Sequence, residues 1–174
     1  ARAPEVTAGE ERVFRWFNEA PDWIGAPAWP VMQAGSLGAV AVAAAALSRS
    51  GRRRAAAWTG LVGTAVWAGV KVVKPLVGRG RPEAVLDGVR VRGQPQTGLG
   101  YPSGHAAVVM TLVCLVAGDR TPLVVVPAIA AAGVVGATRL YVGAHLPLDV
   151  VGGVAIGAVA GCGATALRRR GGLR

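Results

Sequence analysis

Both histidines of this 174-residue chain stand beside residues that handle oxyanions. His105 closes the stretch "YPSGH" at 101–105, and His145 lies in "TRLYVGAHLPLD" at 138–149, four residues before Asp149. A third stretch, "KPLVGRGRP" at 74–82, supplies Lys74 and Arg81, the latter followed by Pro82. These residue types fit a phosphoryl group. Guanidinium forks at Arg81 and Arg139 and the point charge of Lys74 match a phosphate dianion. Ser103 and Gly104, opening an apolar run, would present backbone N–H groups at the favourable end of a helix dipole. Gly104 has no side chain to obstruct that approach. Asp149 can accept from one nitrogen of His145, with Pro147 suited to the first helical turn between them. That fixes the tautomer and leaves the other nitrogen to attack. His105 is then the proton donor to the leaving oxygen. Singly, each residue has a plainer reading: an interfacial histidine is usually structural or solvated, and arginine and lysine commonly snorkel at the ends of membrane helices. The joint pattern points to chemistry.

The elements that must position these residues are apolar helices. The chain is 52% hydrophobic yet has only two Phe and two Tyr. Ala, Gly and Val supply the apolar mass, as in helices packed closely within lipid. Five apolar segments, at 23–48, 55–73, 104–118, 121–142 and 147–167, predict an all-α membrane bundle of about five spans forming a single domain over 1–174. A span needs about 20 residues to cross roughly 30 Å of hydrocarbon. The third segment, bounded by Ser103 and by Gly118-Asp119-Arg120, rises only about 22 Å. Its start is therefore expected to lie in a recess below the membrane surface. Ahead of the spans, residues 7–20 open with Thr7 and Glu10 at capping-box spacing. Val13, Phe14, Trp16 and Phe17 gather on one side, as in an amphipathic helix lying at the membrane interface. No signal peptide is expected, because the first twenty residues are polar and acidic.

Charge sets the expected orientation. Arg49 and Arg52–Arg54 fall between the first two spans, and Arg168, Arg169, Arg170 and Arg174 follow the last. By the positive-inside rule both clusters are cytoplasmic. Residues 74–103 and 139–147 then share the opposite face, where Arg79, Arg81, Arg90 and Arg92 run against the rule unless they have another job. The net charge of +10 does not suggest nucleic-acid binding, because the basic residues punctuate apolar runs instead of forming a face with stacking aromatics. Arg in excess of Lys, with abundant Ala and Gly, hints at a high-GC bacterial source. Cys114 and Cys162 read as small buried residues, neither disulfide nor ligand. Gly153, Gly157 and Gly161 form a small-residue ladder suited to packing within the chain, with a homodimer as the alternative.

The order Lys-x6-Arg-Pro, Pro-Ser-Gly-His, Arg-x5-His-x3-Asp resembles the three-part signature of the type-2 phosphatidic acid phosphatase superfamily, over Lys74 to Asp149. Thr138 stands where that family usually has Ser before the arginine, and its membrane members commonly have six spans. The resemblance implies that Lys74, Arg81 and Arg139 hold the phosphate, helped by Ser103 and Gly104, with His105 as general acid. It implies His145 as a nucleophile that becomes a phosphohistidine, supported by Asp149, with no metal and no cofactor. The expected substrate is a membrane lipid phosphate or diphosphate: a polyprenyl diphosphate, a lipid-linked sugar phosphate or phosphatidylglycerophosphate. The expected location is a bacterial inner membrane, with the site facing outside. Arg90, Arg92 and Tyr101 are candidate head-group contacts. A lipid phosphotransferase and a non-catalytic lipid-phosphate-binding protein are the alternatives.

Overall fold

The computed structural model describes residues 5–117 and 122–170. All regular structure among them is helical. The expected Asp119-Arg120 turn and Arg174 lie outside the described residues. Helix α1 (Ala8–Asn18) starts at Thr7, whose Oγ1 accepts from the Glu10 backbone N–H at 3.2 Å. Only that half of the capping box forms, because the Glu10 carboxylate is engaged elsewhere. Phe14 is fully buried while Trp16 is 74% exposed. The aromatic side of α1 thus divides between the core and the outside.

The first expected span is not one straight helix. It breaks into α2 (Gly25–Gln33) and α3 (Leu37–Arg49), which meet at 53°. Ser36 caps α3, its Oγ accepting from Ala39 N–H at 3.3 Å. Gly35 explains the position of the break. A Cβ there would stand 2.5 Å from the backbone oxygen of His105, so the bend lets bare backbone press on the turn that carries a candidate catalytic group.

Helix α4 (Arg53–Val77) ends at Gly78 in a left-handed conformation, φ 69°, which costs glycine little. A short turn of helix, α5 (Pro82–Val85), follows. Then come α6 (Gly104–Ala117), α7 (Pro122–Tyr141) and α8 (Pro147–Arg170). Among the described residues two segments are long and apolar enough to cross a membrane, Arg53–Val85 and Pro147–Arg170, and the bent α2–α3 pair makes a third if it counts as one. Helices α6 and α7 contribute shorter apolar stretches, Gly104–Val116 and Val126–Tyr141.

The short α6 is the core of the bundle, packing against α8, α7, α4 and α3. Ala106, Ala107, Val108 and Thr111 on it have no exposed surface. The glycine ladder of α8 faces α6. A Cβ at Gly161 would meet Cys114 Cβ at 2.6 Å and Thr111 O at 2.9 Å, and one at Gly157 would meet Met110 Cβ at 2.9 Å. The ladder is therefore filled within the chain, and the two backbones approach as only small residues allow. Outward-facing residues are apolar too: Leu61, Val72, Leu76, Val159 and Leu167 are all more than 60% exposed. Of the cysteines, Cys114 is buried as expected but Cys162 is exposed. Their thiols sit 3.1 Å apart, because the ladder brings the two helices together at that level.

Candidate active site

The three motif stretches converge at the end of the bundle where α4 stops and α6 and α8 start. Backbone hydrogen bonds knit them together. Gly100 N–H donates to Arg79 O at 2.8 Å, and Ser103 N–H donates to Asp149 O at 2.8 Å. Lys74 Nζ donates to the Leu99 and Gly100 carbonyls at 2.8 and 2.9 Å, which occupies two of its three N–H groups. Ser103 is fully buried, and Gly104 begins α6.

Arg81 and Arg139 form the cationic part of the site. They are 8% and 4% exposed, and neither has a carboxylate within ion-pair distance among the described residues. Arg81 Nη1 donates to the Ala144 carbonyl at 2.7 Å, and Arg139 Nη1 lies against the Met32 sulfur. The Nε of each is buried with no hydrogen-bond partner. Burying a guanidinium without an ion-paired carboxylate is costly, and an anion in the cavity would offset that cost. Both arginines line a cavity of about 60 Å³, with Trp29, Met32, Ala144 and the Glu83 side of the loop. The sequence places Pro82 directly after Arg81, and that proline at the first turn of α5 fixes how the loop leaves the site. His105 lies close enough to Arg81, Arg139 and His145 for all three to act on it electrostatically.

His145 sits in the loop between α7 and α8, 3% exposed. Its Nδ1 is 3.4 Å from Asp149 Oδ2 and has no better partner. The contact falls short of a formed hydrogen bond, and a small movement would close it, as is common before substrate tightens a catalytic contact. Burial holds the imidazole pKa down at about 4, reinforced by Arg139 and Arg81 and opposed by Asp149. His145 is therefore neutral near pH 7, the state a nucleophile requires.

Asp149 is fully buried, and two groups fix its orientation. Its Oδ2 accepts from Leu146 N–H at 2.9 Å, and its Oδ1 accepts from Arg79 Nη1 at 3.1 Å. Arg79, itself 2% exposed, also grips Glu10 through both terminal nitrogens, at 2.9 and 2.5 Å. Glu10 Oε1 accepts from Leu148 N–H at 3.0 Å as well. Arg79 and Glu10 are the residues that sequence reasoning missed. Arg79 counted only as one more arginine of the outer loop, and Glu10 as half of a helix cap.

The candidate head-group contacts lie differently. The Arg92 guanidinium donates to the carbonyls of Asn18, Ala20 and Tyr141 and to Asp22 at 2.8 and 3.0 Å, and stacks on the Tyr141 ring. It borders the cavity, but its donors tie the loop to α1, to the turn between α1 and α2, and to α7 instead of facing outward. Arg90 is exposed, and its backbone pairs with the Asn18 side chain. The Tyr101 ring lies over Gly152, where a Cβ would come within 2.5 Å of it, so it packs on α8. Thr138 donates its hydroxyl to Val135 O within α7 at 2.7 Å. Among the described residues no three His, Cys, Asp or Glu side chains gather as metal ligands would.

Comparison with known proteins bears on the family and the fold. A family model described as the PAP2 superfamily matches residues 54–172. The crystal structure of Aquifex aeolicus LpxE superposes with a TM-score of 0.83 at 22% identity, covering 95% of this chain and 99% of that one. A transmembrane PAP2-type phosphatidylglycerolphosphate phosphatase from Bacillus subtilis superposes with a TM-score of 0.69 at 19% identity, over 94% and 88%. No curated protein sequence matches the chain.

Proposed function

This chain belongs to the PAP2 superfamily, and on that premise we propose that it is a membrane lipid phosphatase working through a phosphohistidine. One observation carries the reading: Arg81 and Arg139 are buried beside a neutral His145, and among the described residues no carboxylate is in ion-pair contact with either. A phosphoryl group supplies the missing negative charge where the nucleophile waits.

In the proposed reaction, Arg81, Arg139 and the remaining N–H of Lys74 hold the phosphoryl oxygens, with backbone N–H groups at the start of α6 completing the cradle. Nδ1–H of His145 points at Asp149, leaving Nε2 to attack phosphorus. The N–P bond forms as the bond to the leaving oxygen breaks, and His105 protonates that oxygen. Water, deprotonated by His105, then cleaves the N–P bond, giving phosphate and restoring both histidines. No metal ion enters the scheme.

A lipid substrate fits the surroundings. Pro27, Ala28 and Val31 of α2 line an apolar groove of about 590 Å³ against Trp16 and Phe17 of α1 and Val134 and Tyr141 of α7. Trp29 and Met32, on the other side of α2, face the polar cavity. A chain in that groove would lie one helix away from a head group at Arg81. The bundle is read as five spans, with α2–α3 as one bent span and α1 lying at the interface. The arginine-rich ends of α3, α4 and α8 are read as cytoplasmic, so the site faces outward. The substrate is a lipid phosphomonoester or diphosphate of that outer leaflet.

The test is phosphate release by the purified protein in detergent with EDTA present. The panel offers polyprenyl diphosphates, phosphatidate, phosphatidylglycerophosphate and lipid-linked sugar phosphates to wild type and His145→Ala. Release by wild type alone is expected, and the ranking of lipids identifies the head group. Equal release by the variant, or none from any lipid, overturns the reading.

A further inference from the structure

We propose that Glu10, on the helix that precedes the bundle, is a positioning residue for His145, acting through Arg79 and Asp149. The inference rests on His145 being the nucleophile, and it adds a residue that lies outside the segment matched by the family, 54–172.

Three buried charged groups stand in a row. Glu10 is 7% exposed, Arg79 2% and Asp149 0%. Arg79 gives both terminal nitrogens to Glu10 and shares only Nη1 with Asp149. That division leaves Asp149 Oδ2 for Leu146 N–H and for His145 Nδ1, 3.4 Å away. Without the Glu10 carboxylate, the Arg79 fork would be free to chelate Asp149 through both oxygens, the geometry that arginine and carboxylate favour. Oδ2 would then be drawn from the imidazole.

Charge leads to the same result. Arg79 and Asp149 alone sum to zero, a weak counterweight to the positive charge His145 acquires when its ring is phosphorylated. With Glu10 the row carries one net negative charge, in a buried setting where screening is poor. Glu10 also accepts from Leu148 N–H, an orphan donor in the first turn of α8, directly beside Asp149. The same carboxylate thus fixes both the partner of the aspartate and the turn that carries it.

A merely structural role for Glu10 would be to hold α1 in place, and a second anchor of α1 separates the two ideas. Asn18, at the far end of that helix, donates to Arg90 O, Leu140 O and Tyr141 O and touches nothing in the row of charges. Glu10→Gln and Asn18→Ala are compared with wild type for kcat, KM and thermal stability, using the best lipid of the panel. Glu10→Gln is expected to lower kcat by roughly tenfold, as loss of an orienting partner behind a reacting group does, with KM within about twofold. Asn18→Ala is expected to lower stability and leave kcat near wild type. Should Glu10→Gln fail to fold, Glu10→Asp keeps the charge one methylene short, and a reduced kcat at unchanged KM is again expected. Wild-type kcat in the Glu10 variant, or an equal loss in both variants, overturns the positioning role while leaving the phosphatase intact. An inactive wild type overturns both.

Discussion

Arg79 and Arg81 are two positions apart and both buried, yet the fold meets their charges in opposite ways. Arg79 lies between two carboxylates and is electrically satisfied by the protein. Arg81 donates to one carbonyl, has no carboxylate within ion-pair distance among the described residues, and has Arg139 as a like-charged neighbour. A buried charge that the fold neutralises belongs to the scaffold, whereas one left without an ion-pair partner is a candidate for binding an anion. Sequence spacing cannot make that distinction, since both arginines sit in one Gly-Arg-Gly-Arg run.

Removing each residue should separate the two roles. Arg79→Ala leaves two buried carboxylates facing each other, and breaking a buried pair in this way costs about 3–5 kcal/mol. Thermal unfolding in detergent should show a large fall, with activity lost alongside. Arg81→Ala removes a repulsive, unpaired charge, so thermal stability should hold or rise. Its kcat/KM should instead drop by roughly 10² to 10³, the usual cost of losing one donor to a developing oxyanion. If Arg81→Ala unfolds the protein as Arg79→Ala does, the contrast between the two residues collapses.

The smallest effect is in the pH profile. With its pKa held near 4, His145 stays neutral well below the usual imidazole range. Activity should therefore persist as pH falls through 6.5 and be lost only near 4, where the ring protonates and cannot attack. Because Arg81 helps to depress that pKa, Arg81→Ala should move the residual activity's acid limb upward. A limb already at 6.5 in wild type would contradict the buried, neutral nucleophile.

The convergence of the three motif stretches at one end of the bundle was legible because each motif's geometry is local. A histidine four residues from an aspartate across a helix start, or Ser-Gly-His opening an apolar run, displays its geometry in its spacing. The short third segment likewise predicts a short helix with its start in a recess below the membrane surface; α6 is that short helix, and Ser103 just before it is fully buried. What stayed hidden depends on long-range pairing. Glu10 meets Arg79 from 69 positions away, and at short range Thr7-x-x-Glu reads equally well as a cap. Arg92 looked like a ligand because its loop is basic, but its partners are main-chain carbonyls, which no sequence pattern advertises. The break between α2 and α3 had a signal in Gly35-Ser36, but hydropathy alone averaged across it.

The glycine ladder has a mechanical consequence. The helix that opens with His105 and the helix that supports His145 touch backbone to backbone along Gly153, Gly157 and Gly161, with no long side chains between them to yield. Changes in bilayer thickness or lateral pressure should therefore move the two histidines as one rigid piece. Such stress would be absorbed where the chain is jointed, at the bend after Gln33, leaving the distance between His105 and His145 insensitive to the membrane around it.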